Sequence, residues 1–270
     1  MAFAQVAGHR IEHERIDVGA SDRPTLVLLH EGLGSVAMWR DFPGRLAHAT
    51  GCNALVYSRH GYGNSNPLTA PRTVRYMHDE ALVALPELLD ALGVSRPLLV
   101  GHSDGGSIAL IHAGAGIRPV AAVVTLAAHV LVEDISVTSI AAAKVAWETT
   151  DLRAKLSRYH ADVDSAFLGW NRIWLHPDFR AWNIEEYLPR TACPVLAIQG
   201  ADDEYGTMEQ MRRIGAQVRD VELLELEDCR HSPHRDQPEA VLDAIARFVD
   251  RICARRQEGA RTCRRSRPTS

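Results

Sequence analysis

The chain has 270 residues, enough for one large domain with a buried core that needs no metal or disulfide staple. Apolar residues make up 46% and charged residues 24%, which excludes wholesale disorder, and no run of about 18 apolar residues is present to span a membrane. Net charge is −4, but seven of the 30 basic and one of the 34 acidic residues fall in 251–270. That tail carries +6 and leaves −10 on the body, which argues against nucleic acid as a partner.

Residues 1–8 (MAFAQVAG) lack the basic start and apolar stretch of a signal peptide. Residues 9–18 read as an antiparallel strand or hairpin. Residues 25–30 (TLVLLH) form an apolar strand that runs into His30-Glu31-Gly32-Leu33-Gly34. A second strand, 54–57 (ALVY), precedes Arg59-His60-Gly61-Tyr62-Gly63-Asn64-Ser65. Met77, Ala81, Leu85, Leu88 and Leu92 make one stripe of a helix over 74–92, which Pro86 should kink or break and Gly93 should end. Further apolar runs at 97–100, 120–127 and 194–198 fit strands buried on both faces, as in a parallel sheet under helices. Residues 221–226 (VELLEL) alternate more and suit a strand nearer the edge. A helix over 238–252 carries Val241, Ile245, Phe248 and Ile252 in register.

The alternation predicts a doubly wound, mostly parallel α/β sheet. Only 131–188 breaks the rhythm. It has helical stretches, no strand, and four of the five tryptophans (Trp147, Trp170, Trp174, Trp182), which reads as an inserted helical cap. The expected division is a core of 1–130 and 189–253, a cap of 131–188, and a basic disordered tail of 254–270. The five cysteines (Cys52, Cys193, Cys229, Cys253, Cys263) are odd in number, scattered, and never form C-x-x-C. No disulfide framework and no metal site is expected, and a reducing cytoplasm is the expected setting.

The strongest chemical signal is Gly101-His102-Ser103-Asp104-Gly105-Gly106, between an apolar strand and a small-residue helix. G-x-S-x-G in that context is a nucleophile elbow. Its turn is too tight for side chains at 101 and 105, and it sets Ser103 at a helix N-terminus whose free N–H groups favour a developing oxyanion. A serine hydroxyl needs a base, and the base needs an orienting acid, in chain order Ser, acid, His. Asp202 and Asp203 follow the strand at 194–198, and His231 lies on the loop before the last helix.

On these residues the chain resembles the α/β-hydrolase family over roughly residues 9–252. Gly200-Ala201-Asp202-Asp203 is similar to its G-x-x-D acid loop, which implies Asp203 rather than Asp202. His231-Ser232-Pro233 is similar to its catalytic histidine loop, and residues 59–65 resemble its R-x-G-x-G-x-S turn, normally structural. The family's oxyanion loop implies backbone donors at Asp104 and at Gly32, with Leu33 as second choice; Glu31 stands where the family usually has Gly.

The resemblance implies a serine esterase or lactonase with catalytic Ser103, Asp203 and His231, and no cofactor. Its substrate would be a small-molecule ester or lactone, neutral or cationic because the body is acidic. Glu31, His129, Trp147, Trp170 and Trp174 are the candidate pocket residues, weighed against local hydrogen bonding for Glu31 and core packing for the tryptophans. His102 is expected beneath the nucleophile and His30 on the oxyanion loop, with His234 a weaker contender as base. Two other readings are a carbon–carbon bond hydrolase of the ring-cleavage-product type and a non-catalytic ligand-binding protein. The first group usually carries Trp after the catalytic His, where Ser232 stands here.

Overall fold

A computed structural model of the chain describes the backbone of residues 1–19 and 22–265 and the side chains as far as residue 255. Eight strands form one sheet in the order β1-β2-β4-β3-β5-β6-β7-β8. An antiparallel hairpin, β1 (Ala2–Val6) with β2 (His9–Ile16), pairs with β4 (Ala54–Tyr57) at one side. β3 (Leu26–Leu29), β4, β5 (Leu98–His102), β6 (Ala122–Leu126), β7 (Val195–Gly200) and β8 (Val221–Leu226) run parallel. The hairpin starts earlier than the reading of residues 9–18 allowed. Its first arm is AFAQV, mostly exposed, so it shows little alternation to find.

The continuous apolar runs have a direct cause. Along β3, Val27 and Leu29 pack into one layer, and Leu26 and Leu28 into the other. The second layer holds α1 (Phe42–Thr50), through Leu46 and Ala47, and the final helix, through Val241, Ile245 and Phe248. The first layer holds the segment after β4 and the helix after the elbow. A strand covered on both sides has no polar face to display.

The expected helix over 74–92 is three pieces: α2 (Tyr76–Asp79), a π-helical turn (Glu80–Ala84) and α3 (Leu85–Ala91). Pro86 falls in the first turn of α3, where its missing N–H costs least, and the wide turn just upstream absorbs the lost bond. α4 (Asp104–Ala115) follows the elbow and is buried almost along its whole length.

Residues 131–188 hold α5 (Asp134–Thr149), α6 (Leu152–Leu156), α7 (Val163–Trp174) and 3-10 turns. The two ends of this insertion meet at its base. Leu131 bridges Asn183, and the Ile184 N–H donates to Val130 O at 2.9 Å. The chain then continues through β7, α8 (Met208–Gln217), β8, α9 (Pro233–Asp236) and α10 (Pro238–Arg265). α10 corrects the reading of 254–270 as a disordered tail, since the helix continues through Arg265; residues 266–270 lie outside those described. Among the described residues no helix is long and apolar enough to cross a membrane.

The loops after β3, β5, β7 and β8 leave the sheet at its carboxyl end, where open α/β sheets place their ligand crevice.

Candidate active site

Ser103 sits at the N-cap of α4 with φ 51° and ψ −118°, a conformation rare for any residue but glycine. Its N–H donates to Leu126 O on β6 at 2.8 Å, and its carbonyl accepts from the Gly106 and Ser107 amides at 2.9 and 3.1 Å. The flanking glycines are required by close backbone. A Cβ on Gly101 would lie 2.2 Å from Gly105 O, and one on Gly105 would lie 2.0 Å from Leu29 O.

His231 reaches Ser103 across the crevice. Its Nε2 is 3.0 Å from Ser103 Oγ, and its Nδ1–H donates to Asp203 Oδ1 at 2.8 Å. Asp203 Oδ1 also accepts from the amides of Tyr205 (2.8 Å) and Gly206 (3.2 Å). Burial pushes the Asp203 carboxyl up, but His231 and the Tyr205 amide outweigh it, and the net shift is downward. Asp202 is exposed, and its amide donates to Cys229 O. His234 is buried against Trp39, Phe42 and His102, away from Ser103.

The loop after β3 turns tightly, with the Gly34 N–H donating to Glu31 O at 3.0 Å. A Cβ on Gly32 would lie 2.1 Å from Trp170 Nε1, so this indole from α7 seats against bare backbone there. His30 Nδ1–H donates to Glu31 O at 2.7 Å, and His30 Nε2 accepts from the Arg59 amide at 3.0 Å. The buried Arg59 guanidinium spans both walls of the crevice. Its Nη2 donates to Glu31 O (2.8 Å) and reaches Asp104 Oδ2 (3.4 Å), which also accepts from Tyr76 OH (2.8 Å). The Asp104 carboxylate therefore turns inward, away from Ser103.

Glu31 makes a second set of ties. Its Oε2 is 3.4 Å from His102 Nδ1, and its Oε1 is 3.5 Å from Arg235 Nη2 on α9. Burial pushes the Glu31 carboxyl up, but His102 and Arg235 hold it well below the usual carboxylate range. His102 Nε2–H in turn donates to the carbonyl of His231 at 2.8 Å. One carboxylate thus links the β3 loop, the elbow and the histidine loop.

A cavity of about 190 Å³ opens over Ser103. Glu31, His129, Trp170 and Trp174 line it, as do Gly32 and Leu33. Trp147 does not, which corrects its place among the pocket residues. It stacks on Phe167 (ring centroids 4.0 Å apart, planes 7° apart), between α5 and α7. Tyr205, Glu204 and Ile140 also line the cavity and were not singled out from sequence. Tyr205, 4.7 Å from the His231 ring, lay within reach of a reading of the acid loop; Ile140 is one apolar residue among many on α5 and carries no such signal.

The alpha/beta hydrolase family matches residues 26–244 of the sequence. The chain belongs to the alpha/beta hydrolase family. A stretch of 100 residues is 39% identical to a Caulobacter sp. (strain K31) protein named as the carbamate hydrolase RutD, covering 36% of this chain and 35% of that one. A stretch of 98 residues is 32% identical to a proline iminopeptidase of Lactobacillus delbrueckii subsp. lactis, covering 36% and 33%. The aligned stretch thus spans about a third of each of these relatives. In three dimensions the chain is similar to the enol-lactonase of Burkholderia xenovorans LB400, with a TM-score of 0.74 at 18% identity, over 92% of this chain and 100% of that one. That likeness is one of fold.

Proposed function

We propose that this alpha/beta hydrolase cleaves a carboxylic ester or lactone through an acyl-enzyme on Ser103. The observation that carries the reading is the continuous chain from Ser103 Oγ to His231 Nε2 (3.0 Å) and from His231 Nδ1 to Asp203 Oδ1 (2.8 Å). As Ser103 Oγ attacks the acyl carbon, its proton passes to His231 Nε2. Asp203 fixes the imidazole tautomer and stabilises the imidazolium. The tetrahedral oxyanion takes hydrogen bonds from the backbone N–H groups of Asp104 and Gly32, with Leu33 adjoining. His231 then protonates the departing alkoxide, which in a lactone stays tethered to the acyl group. Water, deprotonated by His231, attacks the acyl-enzyme and frees Ser103.

The cavity lining favours a neutral or cationic substrate. Glu31 and Glu204 are among its residues, and no Lys or Arg is. Trp170 and Trp174 offer aromatic surface to the acyl or alcohol part. Residues 131–188 then act as the cap that chooses the substrate. The thiols of Cys52, Cys193 and Cys229 support a cytoplasmic setting.

A fluorophosphonate probe tests the chemistry. Labelling of the wild-type protein at Ser103, and none of Ser103→Ala, supports the acyl-enzyme. An unlabelled wild-type protein overturns it and favours a binding role. A panel of esters, lactones, amides and carbamates then sets the bond. Matched esters differing by a remote ammonium or carboxylate test the charge preference, and faster cleavage of the carboxylate ester refutes it.

A further inference from the structure

A second cavity, of about 360 Å³, lies apart from the one over Ser103 and shares no lining residue with it. Its size falls in the range of small-molecule sites, about 300–1,000 Å³. The walls are apolar through Val6, Ile11, Val83 and Leu88, and polar where Tyr57 and Glu80 meet. Glu80 is the unusual member. Tyr57 OH donates to its Oε1 at 2.9 Å, and among the described residues its Oε2 accepts no hydrogen bond. Glu80 is half-buried, and its single partner leaves acceptor capacity facing the cavity unused. Burial pushes its pKa up, in keeping with that deficit.

The backbone is shaped to this cavity. Glu80 opens the π-helical turn (Glu80–Ala84), and Glu80, Val83 and Ala84 all line the space. An extra residue in one helical turn rotates the downstream helix by about 100°. Such turns are unfavourable in themselves and concentrate at functional sites. The charges around the rim are mixed, with Asp79 and Arg72 beside the stacked pair His9 and His60, so the surroundings do not demand a charged ligand. Tyr76 forms the partition between the two cavities. It lines the second, while its hydroxyl accepts from Trp174 Nε1 (3.0 Å), and Trp174 lines the first.

We propose that this cavity is a second ligand site, taking an apolar molecule that carries one N–H or O–H group and donates it to Glu80.

Ligand-observed NMR on the full chain tests this with benzyl alcohol, benzylamine and benzyl methyl ether, the last having no donor. The variants are Ala84→Phe and Val83→Trp, which fill the second cavity from two directions, and Ile140→Phe, which narrows the one over Ser103. The alcohol or the amine is expected to bind wild type and Ile140→Phe at least about tenfold more tightly than the ether. Tighter binding of the amine assigns the ligand a charge, and parity with the alcohol assigns a neutral donor. Binding should be lost in whichever filled variant keeps the wild-type circular dichroism. Binding that survives filling but is lost in Ile140→Phe places the probe over Ser103 and overturns the proposal. Equal binding of ether and alcohol, or no binding by any probe, also overturns it. Neither the assay nor its outcome depends on ester hydrolysis.

Discussion

Ser103 holds a positive φ that costs of order 1–3 kcal/mol in a residue with a Cβ. The surrounding hydrogen bonds to β6 and α4 keep it there. Two substitutions separate the strain from the chemistry. Ser103→Ala should lose about a thousandfold or more in kcat while keeping its fold, because nucleophile and base act as a unit. Ser103→Gly should be as inactive yet melt at higher temperature than Ser103→Ala, since glycine adopts this conformation without strain. Melting curves beside an ester assay check both. The neighbouring aspartates separate just as sharply. Asp203→Asn should cut kcat by about 10⁴, as loss of the orienting acid does in such triads, whereas exposed Asp202→Asn should leave it within about twofold. Kinetics on the two variants decides it, and a reversed order would mean that Asp203 is not the orienting acid.

At the scale of elements, three loops have to hold station for those side chains to meet. Arg59 grips the β3 loop and Asp104 together, and Glu31 ties the same loop to His102 and Arg235. Glu31→Gln keeps the shape and removes the charge from these ties. It should lower kcat about tenfold with little change in KM, because the loop's amide is needed for the transition state rather than for ground-state binding. Steady-state kinetics on a neutral ester measures the split, and a pure KM effect would assign Glu31 to substrate binding instead. The elbow was legible in the sequence because two independent constraints coincide there. The run before it, 97–100, is wholly apolar, and only glycine fits two residues to either side of Ser103. The order of strands ending at Asp203 and His231 was legible for the same kind of reason. The cap was not. Trp147, Trp170 and Trp174 are alike as letters, and what separates them is whether an indole lines the cavity over Ser103, as Trp170 and Trp174 do, or stacks away from it, as Trp147 does, a matter of packing between distant segments. Nor could Pro86 alone tell a kink from the π-helical turn that lies just before it.

For the whole molecule, buried histidines set the response to acid. His30, His129 and His234 are all held below their ordinary pKa of 6.5, chiefly by burial. In the unfolded chain each takes a proton as pH falls through about 6.5, whereas the folded protein refuses it. Their contribution is therefore fully present above that pH and declines below it, by up to about 1.4 kcal/mol per histidine for each further pH unit. The melting temperature should drop between pH 7.5 and 5.5. His234 packs against Trp39 and Phe42, and among the described residues neither of its ring nitrogens has a hydrogen-bond partner. His234→Phe should therefore melt with a shallower pH dependence than wild type. Differential scanning fluorimetry across that range reads the slope, and an unchanged slope would remove His234 from the account. Asp203 adds a second acid limb, since its lowered pKa gives stability that persists above the ordinary carboxylate range and fails as pH falls below it.

The seat of Trp170 on Gly32 has an optical consequence. An indole resting on the very backbone that would cradle an oxyanion changes its surroundings whenever an acyl group arrives or leaves. Its fluorescence can then follow a single turnover without any label, with Trp170→Phe supplying the blank against which the other four tryptophans are subtracted.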